Sequence, residues 1–188
     1  IRGPVDTETG ERPQRWAGVV AGFEEAGRLM RRFGVRVCVM DALPETRKAR
    51  EFQEGQDRGR VWLAYYGEAV DRRAEMAHWK DEEGTVTLDR TRMFDEVFAS
   101  MQDGGWTLPG DIRGVADYYP HLQAPVRVLE RSAVRGVTVA RYVETGPDHF
   151  AHAELYALAA TMAPRPSLAV GVLAQGRVKG WQGGRATR

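Results

Sequence analysis

Two acids in this sequence stand where hard-metal chemistry would need them. Asp41 closes the run Val35-Arg36-Val37-Cys38-Val39-Met40, and an acid at the carboxyl end of a buried strand faces the crevice that open α/β sheets leave there. Its other reading is a helix-capping aspartate before Pro44. Asp148 opens the stretch Asp148-His149-Phe150-Ala151-His152-Ala153-Glu154-Leu155-Tyr156. On a helix Asp148 and His152 share a face, so a carboxylate and an imidazole can approach one ion or one water. A helix N-cap explains Asp148 equally well, with His152 as its hydrogen-bonded neighbour. Asp89 precedes Arg90-Thr91 and a helical run, the pattern of a turn with a cap. His78 and His121 have no partner at ligand spacing. Cys38 is the one cysteine, which excludes a disulfide framework and cannot by itself supply a zinc site. The sequence holds no Gly-x-x-x-x-Gly-Lys loop, Gly-x-Gly-x-x-Gly fingerprint, Gly-x-Ser-x-Gly elbow or Cys-x-x-Cys pair, so no bound nucleotide is expected through those motifs.

Positioning those acids requires particular elements. Trp16, Val19, Val20, Phe23, Met30 and Phe33 recur at helical spacing and predict an amphipathic helix closed by Gly34. Val35 to Met40 follows as a strand covered on both faces. Pro44 sets a first helical turn, and the helix continues over Thr46 to Glu54. Val61-Trp62-Leu63-Ala64-Tyr65-Tyr66 is a second buried strand, and the order strand, helix, strand implies a parallel pair. Thr85 to Leu88 alternates as an edge strand does. Met93, Phe94, Val97, Phe98 and Met101 mark a further helix. Val126 to Glu130 and Val137 to Val143 flank a turn containing Gly136 and predict a β-hairpin. The last element is a helix from Asp148 to Met162. The opening through Gln14 reads as a loop that nucleates no core.

Length and composition bound the answer further. The 188 residues, 43% hydrophobic and 28% charged, fit one globular domain. No apolar stretch approaches the length of a membrane helix and the N-terminus lacks a signal-peptide core, so a soluble, unexported protein in a reducing compartment is expected. The net charge of +1 hides an asymmetry. From Pro164 to Arg188 there are five basic residues and no acidic ones, leaving 22 basic against 26 acidic residues in the rest. That Gly-rich tail reads first as a solvated terminus and second as an arm for a polyanion.

Three segments together resemble the nuclease domain of the large terminase subunits of tailed bacteriophages. They are Val37 to Arg50 with its strand-Asp-x-x-Pro-Glu pattern, Val86-Thr87-Leu88-Asp89-Arg90-Thr91 with the helix after it, and Asp148 to Ala157 with its Asp-His on a helix. The resemblance implies an RNase H-like α/β fold, a mixed sheet flanked by helices with an added β-hairpin. It implies an endonuclease that cuts concatemeric viral DNA with acids holding Mg²⁺ or Mn²⁺ in a two-ion site. Asp41 and Asp148 are then the catalytic, metal-binding acids, and Asp89 matches a position that need not be acidic. Double-stranded DNA is the implied substrate, the portal and the small terminase subunit the implied partners, and the bacterial host cytoplasm, transiently at the procapsid, the implied location. The family pattern begins with an acid on an earlier strand, yet nothing before Trp16 reads as that strand, and Asp6 lies in a Gly/Pro/Thr-rich loop. The expectation is therefore an N-terminally incomplete nuclease domain over residues 1–163 and a basic tail over 164–188. Two rivals remain. A junction resolvase would share the acids but not the Asp-Arg-Thr and Asp-His-Phe-Ala-His segments. A non-catalytic DNA-binding or packaging-assembly module would keep the fold without a working metal site.

Overall fold

A run of six apolar residues needs cover on both sides, and Val61–Gly67 finds it at the centre of a mixed sheet. In the computed structural model, which describes residues 1–4, 6–67, 75–131 and 136–164, the chain is an α/β protein. Its elements are β1 (Arg12–Pro13), α1 (Phe23–Arg32), β2 (Cys38–Asp41), α2 (Thr46–Glu54), β3 (Val61–Gly67), β4 (Ala77–Lys80) and β5 (Thr85–Asp89). They continue as α3 (Arg90–Gln102), β6 (Trp106–Thr107), α4 (Tyr118–Gln123), β7 (Pro125–Arg131), β8 (Thr138–Glu144) and α5 (His149–Met162). The four-stranded sheet has the order β2-β3-β5-β4. β2, β3 and β5 are parallel and β4 is antiparallel to β5. Among the described residues no helix is long and apolar enough to cross a membrane.

Strand alternation sorts the core onto two faces. Val39, Trp62, Ala64, Val86 and Leu88 meet Met93, Phe94 and Val97 of α3 and Ala151, Leu155 and Ala159 of α5. On the other face Leu63 and Ala42 meet Ala49 of α2. Complete burial of side chains such as Trp62, Leu63 and Phe94 is worth about 1.5–3 kcal/mol each. The Trp62 indole stays satisfied by donating to the Gly59 carbonyl at 2.9 Å, a turn whose φ of 77° suits glycine. Trp79 packs edge-on against Trp62 at 4.9 Å and fixes β4 to the sheet. The hairpin β7–β8 is a separate two-stranded sheet. It is joined to α3 where Tyr142 packs 5.1 Å from Phe94 and donates to Asp95 at 2.9 Å.

The parallel pairing of the two apolar runs stands, with Val39 opposite Trp62 and Met40 opposite Leu63. Other expectations need correction. The first helix starts at Phe23 rather than Trp16; Gly18 and Gly22 interrupt its periodic stretch, glycine is a poor helix former, and Val19 is left 84% exposed. Its approach to the sheet is through Phe23, stacked on Phe52 of α2 at 5.3 Å. Pro44 lies in a turn with a cis Leu43–Pro44 bond, before α2 begins. Thr85–Asp89 is interior to the sheet, because the short Ala77–Lys80 segment takes the edge beside it. The polar opening folds too: β1 pairs in parallel with β6, and Arg2 bridges Gln14. The basic-tail expectation falls on residues 165–188, outside the described residues.

What orders the opening is a buried carboxylate. Glu154 of α5 pairs with Arg2 at 2.8 Å and accepts from the Gln14 amide at 2.5 Å and the Tyr118 phenol at 2.7 Å. Both members of the ion pair are shielded, with 5% and 4% of their side chains exposed, and the Arg2 guanidinium also lies 3.8 Å over the Trp106 ring. Truncating Glu154 strands a buried cation, so Glu154→Ala is expected to cost about 3–5 kcal/mol in denaturant unfolding. Burial, reinforced by the Glu154 charge, pushes the Tyr118 phenol above its ordinary value. The neutral phenol's stabilisation is thus complete below about pH 10, where the unfolded phenol titrates, and is lost as pH rises from there toward the folded value. Tyr118→Phe is expected to flatten the fall of stability above pH ~10 in a pH series of unfolding curves.

Candidate functional site

Parallel strands bring their carboxyl ends to one side of the sheet, and the acids of interest gather there. Asp41 ends β2, Tyr66 lies one residue before the end of β3, and Asp89 ends β5. Helix α5 carries Asp148 at its N-cap position, then His152 and Tyr156 at successive four-residue steps, a spacing that keeps all three on one stripe.

Asp148 sits at the N-cap without making a side-chain cap hydrogen bond. Its Oδ2 instead meets His152 Nε2 at 3.0 Å and Arg90 Nη2 at 3.5 Å, with only 11% of the side chain exposed. His152 Nδ1 is hydrogen-bonded to the Tyr66 hydroxyl. A carboxylate only accepts, so the network assigns the imidazole proton to Nε2 and makes Nδ1 the acceptor from Tyr66. Burial lowers the pKa of His152 against the opposing pull of Asp148, which favours the neutral ring, the form that ligates metals.

Asp41 is exposed. Its Oδ1 accepts from the Leu43 amide at 2.9 Å and its Oδ2 from the Tyr156 hydroxyl at 2.9 Å. The Tyr66 and Tyr156 rings stack at 6.1 Å, and burial pushes both phenols far up. Asp41 and Asp148 therefore occupy the two ends of one row, Asp41–Tyr156–Tyr66–His152–Asp148. One Asp41 oxygen closes the turn before Pro44 while the other is aimed into the row; Asp41 does not cap α2, whose N-cap position is Glu45.

Glu144, the last residue of β8, joins Asp148 and His152 in a group whose ligand atoms lie within 4.8 Å of one another. Two carboxylates and a neutral imidazole suit Mn²⁺, and less well Mg²⁺. The donor set fits one such ion when the imidazole proton sits on Nδ1, donated to the Tyr66 oxygen, so that the Nε2 lone pair is free. Asp41 lies outside this group, so a second ion of the expected pair is not provided for in the same way among the described residues.

Other candidates are accounted for structurally. Asp89 caps α3, accepting from the Arg92 amide at 3.1 Å. Asp6 accepts from the Glu8 and Thr9 amides in an exposed turn. His78 is exposed on β4. His121 lies on α4, its ring 5.3 Å from that of His149. Burial pushes the Cys38 thiol up to about 11, which disfavours the thiolate a nucleophile needs. Sequence reasoning missed Glu144, Arg90, Tyr66 and Tyr156. The Asp148, His152, Tyr156 spacing was the available signal for the last of these, whereas Glu144 and Arg90 arrive through long-range packing. No protein-family model, curated protein or solved structure matches this chain.

The two tyrosines should differ in worth. Tyr66→Phe removes the donor to a largely shielded imidazole, whereas Tyr156→Phe releases an acid that water can reach. The expected loss is about 1 kcal/mol or less for Tyr156→Phe and larger for Tyr66→Phe, read as shifts in urea midpoint at constant slope.

Proposed function

We propose that this chain is a metal-dependent DNA endonuclease domain with an RNase H-like fold, of the kind that cuts concatemeric DNA in a phage packaging terminase. The observation that carries the reading is Asp148: placed to cap α5, it instead shares its carboxylate with His152 and Arg90 beside Glu144, on the side of the sheet where Asp41 ends its strand. The parallel β2–β3–β5 arrangement supports the fold assignment. Double-stranded DNA as substrate, the portal and small terminase subunit as partners, and the host cytoplasm as location belong to the same proposal and rest on the sequence resemblance.

In this reading a bound Mn²⁺ or Mg²⁺ supplies an activated water and neutralises charge on the attacked phosphate. The chain's own residues do the rest. Asp148 and Glu144 offer oxygens, one shielded and one open to solvent. Tyr66 fixes the His152 ring so that Nε2 faces the carboxylates; ligation through Nε2 would use the other tautomer, with the Nδ1 proton donated to the Tyr66 oxygen, the orienting contact usual behind a metal-binding imidazole. Tyr156 and the Leu43 amide hold the Asp41 carboxylate in one rotamer, leaving its remaining lone pairs toward solvent to position water or substrate. A second reading, a non-catalytic DNA-binding module, is favoured by one observation: the acids already have protein partners, Arg90 for Asp148 and Tyr156 for Asp41.

Nicking of supercoiled plasmid in Mn²⁺ decides between them. Asp41→Asn and Asp148→Asn are expected to abolish nicking, Asp89→Asn to retain most of it, and Mn²⁺ to outperform Mg²⁺ because of the imidazole. Mn²⁺ at 100 times its dissociation constant is expected to stabilise the fold by about 2.7 kcal/mol. A folded sample that calorimetry shows not to bind Mn²⁺ at millimolar concentration supports the non-catalytic module. Nicking that survives Asp41→Asn but not Asp89→Asn would move the site.

A further inference from the structure

Among the described residues at this site Arg90 carries charge of the wrong sign for a metal ligand, and it stands among the ligands. It is the first residue of α3, directly after the capping Asp89. Its Nη2 lies 2.8 Å from Glu144 Oε1 and 3.5 Å from Asp148 Oδ2, and its Nη1 lies 3.4 Å from the Tyr142 carbonyl. These are the carboxylates that, with His152, form the candidate ion group. The guanidinium is loosely held for so central a cation. Its Nε is buried without a hydrogen-bond partner among the described residues, neither carboxylate is engaged by two parallel bonds, and its remaining contacts are the Tyr66 and Phe94 ring faces at 5.9 and 5.5 Å.

We infer that Arg90 is an internal counter-ion that a divalent metal must displace from Glu144 and Asp148, and that the freed guanidinium then serves the substrate phosphate. The inference rests on the proposed metal-dependent reading of this site and names its regulation. Without metal, two carboxylates packed against His152 need a cation, and Arg90 supplies it. An ion bonding the same oxygens at about 2.0–2.2 Å leaves no room for Nη2 at hydrogen-bond distance, and two like charges on one pair of carboxylates repel. Once displaced, a guanidinium at the mouth of the site finds its natural partner in a phosphate, which it binds through its planar fork. Metal and DNA then favour one another, since each relieves the competition that the other faces, and the coupling is reciprocal. Arg90 is thus a positioning residue, setting the metal concentration at which the site loads.

Calorimetric titration of Mn²⁺ into the full chain, wild type beside Arg90→Gln and Arg90→Lys, reads this directly. Arg90→Gln is expected to bind Mn²⁺ about tenfold more tightly, because no bound form has to be undone first. Arg90→Lys keeps the charge without the fork and is expected to lie between the two. Duplex DNA affinity is expected to rise several-fold on adding saturating Ca²⁺ to the wild type and to change little in Arg90→Gln. Melting curves in EDTA show that each variant is folded, and should Arg90→Gln fail to fold, the Arg90→Lys titration carries the test. Unchanged or weaker Mn²⁺ affinity in a folded Arg90 variant overturns the inference and leaves the nuclease reading intact. Tighter Mn²⁺ binding by Arg90→Gln upholds the counter-ion role, even where no form nicks plasmid and the nuclease reading falls. Absence of Mn²⁺ binding in every form overturns both.

Discussion

Helix α5 is buried along most of its length, and every polar group it takes inside must meet a partner there. Glu154 meets Arg2, Gln14 and Tyr118; Asp148 meets His152 and Arg90; Tyr156 meets Asp41. Through these pairs, and through His152 to Tyr66, one helix recruits the chain opening, α4, the start of α3, and the ends of β2 and β3. The hydrophobic contacts of Ala151, Leu155 and Ala159 with Trp62 and Phe94 place α5 against the sheet, while the polar pairs determine what else is drawn in.

The same requirement gives the candidate site its form. Asp41 and Asp148 are far apart in sequence, yet neither is left to water alone. The two tyrosines between them stack ring to ring, Tyr156 buried and Tyr66 partly open to solvent, and each hydroxyl meets a polar partner of the row. A row of this kind holds both carboxylates in defined rotamers before any ligand arrives, the preorganisation that charge-stabilising sites depend on. At its open end, Glu144 keeps 58% of its side chain exposed.

Much of this was legible in the residues. Val61 to Tyr66 announced a buried strand because nothing else suits six apolar residues between turns, and Asp41 was marked by the abrupt end of such a run. The hairpin followed from two β-rich runs about Gly136, and α3 from the helical spacing of Met93, Phe94, Val97, Phe98 and Met101. What failed did so for physical reasons. The apolar spacing from Trp16 continues through glycines that refuse the helix. Thr85–Asp89 alternates like an edge strand, but its neighbour Ala77–Lys80 was too short and polar to be seen, so its interior place was hidden. Arg2, Gln14 and Glu154 share no local pattern at all, being joined by a burial requirement that operates across the whole chain.

A helix that is apolar on most sides has little to choose its rotation about its own axis, since turning it exchanges one apolar surface for another. Successive residues are about 100° apart around an α-helix. His152 and Tyr156 therefore lie about 40° from each other, and Glu154, between them in sequence, points close to the opposite way. The helix is gripped from both sides: rolling it one way or the other tears Glu154 from Arg2 as it pulls Tyr156 from Asp41. The polar pairs thus work as a keyway, allowing α5 one angular setting out of many that packing alone would accept.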